Sequence, residues 1–235
     1  MKSETQQALA ALHRLRSTWL ATRTARLNTV RGLLREFGVV IPAGAHHVVP
    51  HVGTLLEDAD AGVPGLLRLA LAEAVREIGE LEERVHAVER QLETIAEPAL
   101  LVRRLRTIPG VGLLTATALV AAVGDVQRFP SARHFASYLG LTPREHSTGQ
   151  RRRLGAISKR GDTYLRMLLI HGARSVLYHA KTRTAPATDR LRTWALQLER
   201  LRGHNKAAVA LANKLARIAW AVWRTGNDFT AAPAA

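Results

Sequence analysis

The sequence predicts a mostly α-helical protein, in which an N-terminal helix and a long coiled-coil hairpin precede a helical domain that contains a helix-hairpin-helix motif. Three observations predict it. Apolar residues recur at helical spacing through residues 6–37, two heptad series interleave through residues 71–95, and a Pro-Gly-Val-Gly turn separates two helical stretches within residues 105–119.

The first stretch, one long helix or two, places Leu9, Leu12, Leu15, Trp19, Leu27, Val30, Leu34 and Phe37 at that spacing, and Gly38 stands where it should end. Residues 39–52, with Pro42, Gly44, His46, His47, Pro50 and His51, read as a loop. Beyond the breakers Gly62, Pro64 and Gly65 the chain runs to about Ala96 without a proline. Leu71, Ile78, Val85 and Leu92 form one seven-residue series, and Ala74, Leu81, Val88 and Ile95 form another three positions later, which is the a/d pattern of a coiled coil. Such a seam points to a second copy of the chain or an antiparallel helix of the same one as its partner, ahead of a helix simply packed on its own domain.

Pro98 ends that segment and the composition changes, so residues 1–98 and 99–228 are expected to form separate regions. In the second, a helix begins at Ser131 and stops at Gly140, an apolar helix follows from Tyr164 to Leu177, and helical periodicity returns between Asp189 and Thr225. Residues 229–235, in which Pro233 stands among the small residues after Phe229, are expected to be a disordered tail.

Lys and Arg number 34 against 19 Asp and Glu, a formal charge of +15. This imbalance points to a polyanionic partner, and the dominance of arginine, whose planar fork grips phosphate bidentately, points to nucleic acid. The chain has no cysteine, which excludes disulfides, thiol nucleophiles and cysteine-ligated zinc. No apolar run is long enough to span a bilayer, and the polar N-terminus does not resemble a signal peptide, so a cytoplasmic protein without membrane attachment is expected.

Two segments carry candidate chemistry. In the first, Gly110, Val111 and Gly112 lie between two helical stretches, where glycines allow a tight turn and the following helix N-terminus attracts an anion; such a hairpin can hold a DNA phosphate without reading sequence. A plain helix-helix turn has the same signature. The second segment, residues 144–162, holds Arg144, Arg151, Arg152, Arg153, Lys159 and Arg160 around Ser147. A hydroxyl beside several guanidinium groups suits phosphoryl transfer, because the cations neutralise charge that builds up on the phosphate. A serine in a basic loop also serves simply as a hydrogen-bonding residue. His46, His47 and His51 lack acidic ligands at helpful spacing, and Glu57, Asp58 and Asp60 read better as a helix-terminal turn than as a Mg²⁺ site. No metal site is assigned.

Four ordered blocks, Thr107-Ile108-Pro109-Gly110-Val111-Gly112, Tyr138-Leu139-Gly140-Leu141-Thr142-Pro143, Ser147-Thr148-Gly149 and residues 157–166, resemble the C-terminal transposase domain of the insertion sequence 110/1111/116/902-type family. The upstream helix resembles the segment that leads into that family's coiled coil. The resemblance implies a bridge-RNA-guided serine recombinase that joins DNA strands through a covalent serine-DNA intermediate. It implies Ser147 as nucleophile with Ser158 in reserve, the six named cations on flanking phosphates, a guide RNA as partner, and protomers paired through the coiled coil.

The family also implies an N-terminal ribonuclease-H-like domain whose four acidic residues bind Mg²⁺. That domain is read as missing here, since Met1 falls after its expected end, and Mg²⁺ is expected only where that domain is supplied. A truncated transposase unable to complete strand exchange alone is therefore expected. The alternative is a non-catalytic nucleic-acid-binding module or a transposase remnant.

Overall fold

The computed structural model describes residues 2–182 and 189–232. Among them are nine α-helices, two short 3-10 turns and a single two-stranded sheet, so the fold is mostly α. Pro233, expected within a disordered tail, lies outside the described residues. Earlier in that tail Phe229 N donates to Thr107 Oγ1, at 2.9 Å, and Arg190 N to Ala232 O at 3.1 Å. The chain divides into two compact units, residues 11–91 and, as far as they are described, residues 1–10 with 92–235. Its boundaries, after Ala10 and after Gln91, fall within two helices.

In the unit of residues 11–91 the helices are α1 (Glu4–Glu36), α2 (Val48–Glu57) and α3 (Gly65–Ala96), of which α1 and α3 run on into the other unit. α1 is one unbroken helix. It ends in a Schellman turn, with Gly38 N donating to Arg35 O and Val39 N to Leu34 O, both at 3.0 Å, and Gly38 at φ 78°. α3 pairs antiparallel with α1, because partner numbers fall as α1 numbers rise. Arg16 meets Glu89 at 2.7 Å, Arg23 Nε meets Glu82 at 2.6 Å and Arg26 meets Glu77 at 2.7 Å. These partly exposed pairs fix register more than they add stability. Leu71, Ile78, Leu81, Val85 and Val88 of α3 are buried, with Leu27, Val30 and Leu34 of α1 joining Leu71 and Ile78 in one core. α1 thus covers this face of α3 at Leu71 and Ile78.

The loop expected over residues 39–52 is corrected from Val48 onward. α2 begins at Val48, after a 3-10 turn at Ala45–His47, and buries Val48 and Val52. Pro50 is tolerated because it sits in the first helical turn, where its missing N–H would have no intrahelical acceptor.

His13 on α1 is 4% exposed, and burial first, then the neighbouring Arg16 charge, lowers its pKa from 6.5 to about 4. A folded-state pKa below the unfolded one means that the unfolded chain takes up the proton first. The stability that neutral His13 contributes is present above pH 6.5 and lost as pH falls towards about 4. Thermal melts across that window should show the melting midpoint dropping by several degrees more in the native chain than in His13→Gln. Parallel pH profiles would contradict the burial.

The C-terminal unit contains α4 (Leu100–Arg106), α5 (Leu113–Val123), α6 (Ala132–Tyr138), the strands β1 (Pro143–Glu145) and β2 (Leu154–Ile157), α7 (Thr163–Thr182), α8 (Arg190–Arg202) and α9 (His204–Thr225). Helical periodicity between Asp189 and Thr225 becomes two helices, broken at Gly203, whose φ is 80°. α9 is central to this unit and buries Ala207, Ala208, Leu211, Ala212, Leu215, Ala216, Ala219 and Val222, with α4, α6, α7 and α8 packed around it. Its alanines let neighbouring helices approach closely. α5 is buried on nearly all sides, from Thr115 to Leu119 and at Ala121 and Val123, as an all-round apolar helix must be.

Candidate nucleic-acid interface and serine hairpin

The basic segment expected as a loop over about residues 143–162 folds as a β-hairpin. β1 and β2 pair antiparallel with Pro143 opposite Ile157 and Glu145 opposite Leu154. Beyond them His146 N donates to Arg153 O at 2.8 Å, and Thr148 and Arg151 exchange backbone bonds of 3.2 and 3.0 Å around Gly149 and Gln150. Gly149 supplies the positive φ, 52°, that the turn needs. All residues from Pro143 to Ala156 are exposed, so the hairpin stands clear of the core.

Ser147 lies on this hairpin with its side chain held on both sides. Its Oγ donates to Glu145 Oε1 at 2.7 Å and accepts from Arg153 N at 3.1 Å. One lone pair of the hydroxyl remains open, so a carboxylate that can receive its proton and a free electron pair are present together. Glu145 escaped the sequence reading. Its signal was available only from strand geometry, where residues two apart share a face.

Arg144, Arg151, Arg152, Arg153, Lys159 and Arg160 are all exposed. Among the described residues only Arg152 reaches a carboxylate, with its Nε 3.9 Å from Glu145 Oε1, while Arg144 donates to Ser158 O at 3.3 Å. The hairpin therefore presents mostly uncompensated positive charge. Ser158, the reserve candidate, is half-buried where the hairpin rejoins the body, and its backbone N donates to Thr142 O at 2.8 Å.

The block from Ser158 to Arg166 anchors the hairpin. Lys159 takes a positive φ of 56°, rare for a residue with a side chain, as its N donates to Gly140 O at 3.1 Å. A Cβ on Gly161 would lie 2.2 Å from Tyr138 O, so only glycine lets the chain pass there. Asp162 caps α7, accepting from Leu165 N at 3.0 Å. Arg166, buried inside a helix expected to be apolar, donates to Gly161 O at 3.1 Å and to Leu139 O at 3.4 Å, and so ties both ends of the hairpin to one side chain.

At the Pro-Gly-Val-Gly turn, between α4 and α5, the three candidate residues differ in access. Val111 is buried in the core, Gly110 packs against Gly172 of α7, and Gly112 is exposed at the start of α5. Only Gly112 and the free end of α5 are placed to meet an anion from solvent.

Among the described residues no three of His, Asp and Glu gather to hold a metal ion. Asp58 Oδ1 accepts from Asp60 N at 2.9 Å, the hydrogen bond of a helix-terminal turn, and the rings of His46 and His47 tilt against one another 3.9 Å apart. No helix among the described residues is long and apolar enough to cross a membrane.

Residues 102–188 match the model of the transposase IS116/IS110/IS902 family. The chain is 43% identical over 223 residues to a "probable family 20 transposase" of Pseudomonas aeruginosa, covering 94% of this chain and 65% of that protein. It is 38% identical to the transposase for insertion sequence element IS1111A of Coxiella burnetii, with coverage of 94% and 60%, and 37% identical to the transposase for element IS1328 of Yersinia enterocolitica, with coverage of 97% and 66%. The chain thus spans between 60% and 66% of the length of these three relatives.

Proposed function

Since the chain belongs to the IS116/IS110/IS902 transposase family, we propose that it acts in DNA transposition, holding a DNA strand on the cationic hairpin and cleaving it with Ser147. The observation that carries this reading is the hydrogen bond from Ser147 Oγ to Glu145 Oε1, 2.7 Å long, within an exposed segment bearing six Lys and Arg.

The step balances as a transesterification. The Ser147 hydroxyl gives its proton to Glu145, and its oxygen attacks a backbone phosphorus. The Oγ–P bond forms as the bond from phosphorus to one strand oxygen breaks, and the freed strand end takes a proton from water. Arg151, Arg152 and Arg153 oppose the charge on the phosphoryl oxygens. As in the family it resembles, an RNA guide then selects the DNA to be joined.

Phosphate contacts made by about six cations give a slope of about −5 in log affinity against log salt concentration. Duplex DNA affinity should thus fall about a thousandfold between roughly 50 and 200 mM salt. Fluorescence anisotropy at four salt concentrations measures it, and a flat response would remove the electrostatic basis of the interface. Covalent capture tests the chemistry: digestion of a protein-DNA adduct should recover the nucleotide on the peptide that carries Ser147. An adduct on another peptide would overturn the assignment, and DNA binding with no adduct under any condition would leave a binding module.

A further inference from the structure

A cavity of about 840 Å³ lies between the base of the serine hairpin and the helices α8 and α9. The geometry points to a binding site for one unpaired nucleotide of a DNA strand, its base in the apolar floor and its phosphate at the cationic rim. The inference rests on the reading that the chain binds DNA.

The floor is apolar, formed by Leu141, Ile157, Val209 and Ala210, with Trp194 beside it. The rim carries Lys206, Lys214 and Arg217, and no Asp or Glu lines the cavity. Among the described residues neither Lys206 nor Arg217 has a carboxylate within ion-pair distance. The Lys214 ammonium sits 4.1 Å from the centre of the Trp194 ring. Burial, followed by the charges of Arg217 and Arg190, lowers its pKa, so an arriving anion would relieve a crowded set of cations.

A purely apolar occupant would satisfy the floor and leave the rim cations desolvated without partners. A free phosphate would satisfy the rim and leave the floor empty. A nucleotide supplies both a flat apolar face and an anion, and the cavity is within the size range of a small-ligand pocket. A base that reaches the apolar floor has left the helical stack. One wall is the base of the hairpin that carries Ser147, so a nucleotide held here tethers its strand to that hairpin.

The test compares affinities for three labelled duplexes: intact, with one bulged thymidine, and with an abasic site at the bulge. The bulged duplex should bind about tenfold more tightly than the other two, since removing the apolar face of one base from water is worth about that much. The ratio should collapse to one in Ala210→Phe, which fills the floor, and shrink in Lys214→Gln, with circular dichroism confirming the fold of both. Equal affinity for the three duplexes would overturn the groove while leaving DNA binding in place. So would a preference that the abasic bulge retains, which would report flexibility of the duplex. Failure to bind any duplex would overturn the DNA reading itself, and stronger binding of a bulged uridine in duplex RNA would overturn the assignment to DNA.

Discussion

Ser147→Ala is expected to abolish the covalent protein-DNA adduct completely. Alanine removes the hydroxyl oxygen that would form the bond to phosphorus, and it carries no charge away from the hairpin. The assay is a denaturing gel with labelled DNA and Mg²⁺, with the part of a longer relative that this chain does not match supplied separately if this chain alone forms no adduct. Glu145→Gln gives the complementary result. Its amide oxygen can still accept the hydrogen bond from Ser147 Oγ, seen at 2.7 Å for the carboxylate, but it cannot take the proton. Adduct formation should slow by about a hundredfold, the lower end of the range for losing a general base. An adduct persisting in Ser147→Ala would exclude Ser147 as nucleophile, and an unchanged rate in Glu145→Gln would reduce Glu145 to a positioning residue.

What was legible in the sequence follows from which residues are buried. The heptads of α3 predicted a seam because Leu71, Ile78, Val85 and Leu92 are all buried, and burial is what periodicity records. The serine hairpin left no such trace. From Pro143 to Ala156 both of its faces are exposed, so the alternation that marks a half-buried strand is absent. Read as a loop, it gave Glu145 and Ser147 no fixed relation. Once Thr148 and Arg151 pair around Gly149 and Gln150, the two side chains meet. Arg166 was hidden for the opposite reason, because a buried cation inside an apolar helix is recognisable only with its carbonyl partners in place. The six exposed cations of the hairpin, by contrast, were readable from composition alone, since solvated charge needs no fold to explain it.

Gly172→Ala should undo the packing of the C-terminal unit. A Cβ at that position would stand 1.9 Å from Gly110 O and 3.0 Å from Gly110 C, and neither backbone atom can rotate away as a side chain could. The turn would have to move off α7, and it carries Ile108 and Val111, both buried in the core. Overpacking against adaptable side chains costs about 1–3 kcal/mol, and backbone against backbone should reach roughly 4 kcal/mol or more, a large part of a domain's stability. At about 2–4 °C per kcal/mol, the melting midpoint should fall by about 10 °C or more. Gly112→Ala is the control. Its φ of −89° suits any residue and no atom lies within 4 Å of the added Cβ, so its melting should stay close to that of the native chain. If Gly172→Ala melted like Gly112→Ala, the turn could not be seated on α7. If the two separate as expected, the turn is a fixed part of the core, and only its exposed Gly112 end can meet DNA. The salt dependence of binding should then come from cations outside the turn, and substituting the exposed arginines of the hairpin should reduce its slope.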